Sequence, residues 1–121
     1  MLAIRFFMGI AVFLAAQAHA TPIDCNKAST RVERQICSND LILRLDRAVD
    51  RNYQGSLGSS IDSQAKQHLV RTQRDWLKKR NACRDTTCIE EIYRARVDAL
   101  CEYPVFQGVN WGCAIRSEDI K

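Results

Sequence analysis

Three sets of side chains in this 121-residue chain could do chemistry: six cysteines, two close carboxylate pairs and a run of cations. His68 is the one histidine beyond the first twenty residues. Zinc chemistry needs cysteine or histidine ligands at short, fixed spacings, and His68 has no such companion. A redox dithiol is usually Cys-x-x-Cys at a helix start, whereas Cys83 and Cys88 lie further apart. An even set of cysteines in a small exported protein reads as structural disulfides. Spacing favours local pairs: Cys25–Cys37 around a short helix, Cys83–Cys88 around a turn, and Cys101–Cys113 around a tail.

The carboxylates suggest no catalyst. Asp46 and Asp50 share a helix face but alternate with Arg44, Arg47 and Arg51, the pattern of a solvated surface. Glu90 and Glu91 fall in a first helical turn, where negative charge suits the helix dipole. His68 is surrounded by Lys66, Gln67 and Arg71, and there is no Gly-x-Ser-x-Gly or phosphate loop. The expectation is a protein that is not an enzyme and carries no cofactor. The cations are more suggestive. Between Lys66 and Arg84 seven basic residues face one acid, Asp75. Arg74, Lys78, Lys79, Arg80 and Arg84 are the candidate partner-binding residues; the competing reading is a solubilising face. A local acidic patch could form from Asp46, Asp50 and Glu102. No row of base-stacking aromatics accompanies the charge, so nucleic acid is not an expected partner.

Positioning these groups falls to four segments with helical periodicity. Thr30 to Glu33 forms a capping box that opens a short helix to Cys37. Ser38-Asn39-Asp40 starts a second helix with Leu41, Leu45, Ala48, Val49, Asn52, Tyr53 and Leu57 at inward spacing, ended by Gly55, Gly58 and Ser59-Ser60. Ser60 or Asp62 caps a third, over roughly 62–82, whose inward stripe is Ala65, Leu69, Thr72, Trp76 and Leu77. A second capping box, Thr87 to Glu90, opens a fourth that buries Ile89, Ile92, Tyr93, Val97 and Leu100. No alternating Val/Ile/Thr run suggests a strand. The expected fold is all-α: a small disulfide-stapled bundle of three to four helices with an irregular tail over 102–121, in which Phe106 and Trp111 cover one side; the alternative is that the tail is an exposed recognition arm.

The first twenty residues read as a secretory signal. Arg5 precedes an apolar run from Phe6 to Ala16, and Ala18-His19-Ala20 places small residues at a cleavage site. That run is shorter than the roughly 20 residues that span a bilayer, and no second such stretch follows. Losing Arg5 lowers the net charge from +4 to +3. Cys25 follows Thr-Pro-Ile-Asp and no lipobox. The expectation is a free periplasmic or secreted protein, cut near Ala20, with no transmembrane segment and an oligomeric state left open. About 100 residues then bury only a modest core, which is where disulfide staples matter most.

The pattern Asp24-Cys25-x-Lys27-Ala28-x-Thr30-x-x-Glu33-x-x-Ile36-Cys37, then Leu41, Leu45-Asp46 and Tyr53, is specific. So is Gln73-x-x-Trp76-x-x-x-Arg80-x-x-Cys83 with Cys88, Tyr93 and Arg96. Together they resemble, over about residues 24–101, the LprI-type domain of small exported bacterial proteins, which sets an expected helical domain at 21–101 and a disulfide-pinned tail at 102–121. Ile23 stands where that family often has an aromatic, Ser38-Asn39-Asp40 lacks its frequent proline, and the Cys101–Cys113 tail is an addition. The resemblance implies a lysozyme (muramidase) inhibitor, with a lysozyme-like cell-wall hydrolase as partner. The alternative is an interaction or assembly protein of the cell envelope with no enzyme target. Most of the matching positions have scaffold roles: cap for Thr30 and Glu33, core for Leu45, Tyr53, Trp76 and Tyr93. Asp46 is expected to bond Arg80, or a backbone N–H of a neighbouring helix.

Overall fold

Alternating caps and apolar stripes translate into four helices in a computed structural model, which describes residues 22–59, 62–102, 113 and 115–121. They are α1 (Arg31–Cys37), α2 (Asp40–Gly58), α3 (Ser63–Asn81) and α4 (Thr86–Cys101), with short 3-10 turns at Cys25–Lys27 and Ser117–Asp119. There is no strand among the described residues. The all-α, disulfide-bonded expectation holds. Phe106 and Trp111, expected to cover the bundle, lie outside the described residues.

Each helix start has an identifiable electrostatic cause. Thr30 Oγ1 accepts from Glu33 N–H at 3.1 Å, and Glu33 Oε2 accepts from Thr30 N–H at 3.0 Å and Ser29 N–H at 2.7 Å. Asn39 caps α2 through the N–H of Ile42, and Asp62 caps α3 through that of Ala65. At α4 the structure differs from the expected Thr87 box. Asp85 caps the helix by accepting from Cys88 N–H at 2.8 Å, so Thr87 falls inside the first turn. A carboxylate is the stronger acceptor for a backbone donor, and it also suits the positive helix end.

α4 is the shared wall, packing against both α2 and α3 and also meeting α1. Ile36, Ile42, Leu45, Leu69, Ile89, Tyr93, Val97 and Leu100 are fully buried in one core. Each such side chain contributes about 1.5–3 kcal/mol of transfer free energy. Of the expected α3 stripe, Leu69 and Trp76 are buried and Ala65 and Leu77 pack at the edge. Gln73, not foreseen as inward, is fully buried beside them.

Three disulfides join Cys25–Cys37, Cys83–Cys88 and Cys101–Cys113. The last returns the chain to the bundle, where Ile115 and Ile120 pack on the core. Polar bonds fix this return. Asn52 Nδ2 donates to Val97 O and Ile115 O at 3.2 and 3.1 Å, and Asp98 accepts from the N–H and hydroxyl of Ser117. Arg94 donates to Ser117 O at 2.6 Å.

The cap of α1 gives a pH dependence. The backbone N–H groups of Thr30 and Ser29 hold the Glu33 carboxyl below its usual 4.5. Its stabilisation is therefore complete above that value and is lost as pH falls through the lower folded value. Glu33→Ala should cost about 0.5–2 kcal/mol in urea unfolding at neutral pH. Glu33→Gln should cost less, and should remove this contribution to the acid limb of the stability curve.

Candidate functional site

The residues expected to act lie at the α3–α4 side of the bundle, and a buried polar clamp sets their directions. Asp46, on the inner face of α2, accepts from the Tyr93 hydroxyl at 2.8 Å through Oδ1 and from Ile23 N–H at 2.7 Å through Oδ2. Tyr93 is fully buried. Burial, then the nearby Asp46 charge, pushes its phenol well above the ordinary 10, so it remains a proton donor. Its oxygen accepts in turn from Arg80 Nη1 at 3.3 Å. The Arg80 guanidinium also lies 5.7 Å from the centre of the Trp76 ring, a cation–π distance. Trp76 meets Tyr93 edge-on at 5.1 Å and donates its indole N–H to Ile92 O.

Two expectations change here. Asp46 is bonded neither to Arg80 nor to a backbone group of a neighbouring helix. It reaches Arg80 through Tyr93, and its backbone partner is Ile23, ahead of α1. Nor does Asp46 join an outer acidic patch with Asp50 and Glu102, because it is buried. Asp50 is half-buried and its carboxyl is pushed up by desolvation, while Glu102 alone of the three is exposed.

The basic candidates divide accordingly. Arg74, Lys78 and Lys79 are exposed along α3, and Arg84 is exposed in the turn that follows. Arg80 is half-buried and turned toward Tyr93 and Trp76, so it does not present its charge with the others. Lys78 pairs with Asp75 at 3.9 Å, with both side chains mostly in water. Such a pair is worth at most about 1 kcal/mol and yields easily to a better partner. Lys79 and Asp75 border a groove of about 360 Å³ between α3 and α4, with Trp76 and Ile92 on its apolar side. Below it, Arg96 forks onto Gln73 Oε1 at 2.9 and 2.8 Å and reaches Thr72 Oγ1 at 3.2 Å. This fork holds α4 to α3.

The arrangement supports binding. Glu90 is engaged by Arg94 at 2.8 Å, and Glu91 is exposed. Among the described residues no three metal-capable side chains converge. Sequence reasoning missed the contribution of α2. With Asp46 turned inward, Arg44, Arg47 and Arg51 stand exposed on the outer stripe. The signal was present in the spacing, since Asp46 falls between the buried positions Leu45 and Val49.

A family model described as lysozyme inhibitor LprI matches residues 25–102. No curated protein and no solved structure matches the chain.

The inward and outward cations should separate by stability. Arg80→Lys forfeits the guanidinium's bond to Tyr93 and its planar stacking, and should lower urea stability by about 1 kcal/mol. Lys78→Ala should stay within about 0.5 kcal/mol of the parent. Equal values would place Arg80 with the surface group.

Proposed function

The chain belongs to the LprI lysozyme inhibitor family, and from that membership we propose that it is an exported protein that binds and inhibits a lysozyme-type muramidase. The family match over residues 25–102 carries this reading. Three disulfides, and the absence of any helix long and apolar enough to cross a membrane among the described residues, fit a periplasmic or secreted site of action.

The inhibited centre is a cleft with two carboxyl groups at its base. Arg74, Lys78, Lys79 and Arg84 are the groups that enter or rim that cleft. They sit on the later turns of α3 and in the turn after it, held by the Cys83–Cys88 disulfide. Pre-setting their backbone means that less ordering entropy is lost on association. A cation that reaches a buried carboxylate gains a charge-assisted bond, and a lysine does so as a compact point charge. The Trp76-lined groove beside Lys79 supplies the apolar contact around that charge. The +3 charge left after loss of Arg5 works against long-range attraction to a basic muramidase, so the complex depends on short-range fit more than on steering.

A cell-wall lysis assay with the oxidised protein and several lysozyme types tests this. Slower lysis at micromolar protein is expected for at least one type. An unchanged rate for every type would end the inhibitor reading in favour of an envelope interaction protein. Given inhibition, joint Lys78→Ala and Lys79→Ala should weaken it by about 2 kcal/mol, roughly thirtyfold, with helicity unchanged. Arg80→Ala should instead lower the melting temperature.

A further inference from the structure

The outer stripe of α2 carries Arg44, Arg47 and Arg51, all exposed. They border a groove of about 430 Å³ whose floor is Ala48, Ile115 and Ile120. This groove exists because the Cys101–Cys113 disulfide and the Asn52 side chain hold the C-terminal residues against α2 and α4. The two carboxylates that alternate with the arginines in sequence do not neutralise them. Asp46 is buried and spends both oxygens inside, and Asp50 is half-buried, one helical turn before Gln54. Asp119, the acid in the groove, accepts from Arg116 N–H. Arg44 donates to the main-chain oxygen of Lys121 at the edge of the groove, so Arg47 and Arg51 carry the uncommitted charge. No side-chain ion pair among the described residues involves any of the three arginines.

We propose that this arginine stripe and groove form an anion-binding site for a linear, phosphate-bearing polymer, separate from the α3 face. All three cations are arginine, whose planar fork pairs bidentately with phosphate oxygens. Positions 44, 47 and 51 span about 10 Å of helix at 1.5 Å per residue. An extended acidic peptide turns every second carboxylate away, so it presents anions to the helix only about every 6.7 Å. A chain charged at every unit meets all three. The apolar floor gives the polymer backbone a surface that excludes water on one side, which strengthens the charge contacts above it.

The test is titration of the oxidised protein, by calorimetry at low and moderate salt, with short linear polyphosphate. Orthophosphate and polyglutamate are the comparison ligands. Polyphosphate should bind tightest, with an affinity that falls steeply with salt as counterions are released. Joint Arg47→Glu and Arg51→Glu, both at exposed positions, should weaken binding by about tenfold or more with helicity unchanged. At moderate salt, where screening confines charge effects to about 8 Å, joint Lys78→Glu and Lys79→Glu on α3 should change it by less than about twofold. Equal loss from the two pairs would reduce the effect to net charge and overturn the site. Tighter binding of polyglutamate would overturn the phosphate assignment, and absence of polyphosphate binding at low salt would overturn both. Lysis inhibition is a separate readout, and its failure would leave this titration unaffected.

Discussion

One buried carboxylate organises this bundle. Asp46 faces inward from α2 and has to find donors there, because an unpaired charge in a core is expensive by several kcal/mol. It takes one from Tyr93 on α4 and one from the backbone at Ile23. These two bonds tie the segment before α1, helix α2 and helix α4 at a single point. Because Tyr93 then accepts from Arg80, the same point also sets how α3 lies on α4. Trp76 and the Arg96–Gln73 fork continue the contact along that interface. The protein's outward chemistry follows: with Asp46 inside, three arginines lie outside it on α2, and with Arg80 inside, the cations around it on α3 are left to the surface.

Disulfides do the complementary work at the periphery. Each closes a short loop next to a helix end: Cys25–Cys37 at α1, Cys83–Cys88 between α3 and α4, Cys101–Cys113 beyond α4. Short loops restrict the unfolded chain least, so the larger effect is local: helix ends that would fray are held. A binding protein gains from this because the cations near the end of α3 need not be ordered when a partner arrives. The polar groups Asp46, Tyr93 and Arg80 are bonded to one another inside the bundle.

Much of the scaffold was legible in the sequence because its signals are local. Thr30 and Glu33 announced a capping box, the Leu45, Val49, Tyr53 series announced an inner face, and the spacing of Trp76 and Tyr93 placed them in the core. The fourth helix start was misread because Asp85 and Thr87 both offer a cap, and only three-dimensional reach to Cys88 N–H decides between them. Buried polar residues were the harder class. The spacing of Asn52 puts it on the inner stripe, but nothing in that spacing tells that its amide fastens the C-terminal segment. Gln73 and Arg96 belong to the family pattern, yet only packing brings them together across α3 and α4. The same limit explains the cations. A run of seven basic residues is visible in any reading of the chain, but whether Arg80 points in or out depends on a tyrosine thirteen residues away.

The cooperation of these groups can be measured in one experiment. A double-mutant cycle on urea stability, with Asp46→Ala, Tyr93→Phe and the pair, isolates the bond at the centre of the clamp. The account predicts a coupling free energy of about 1.5–3 kcal/mol, as for a buried hydrogen bond to a charged group. Additivity within about 0.5 kcal/mol would contradict it, because the two side chains would then stabilise the fold independently.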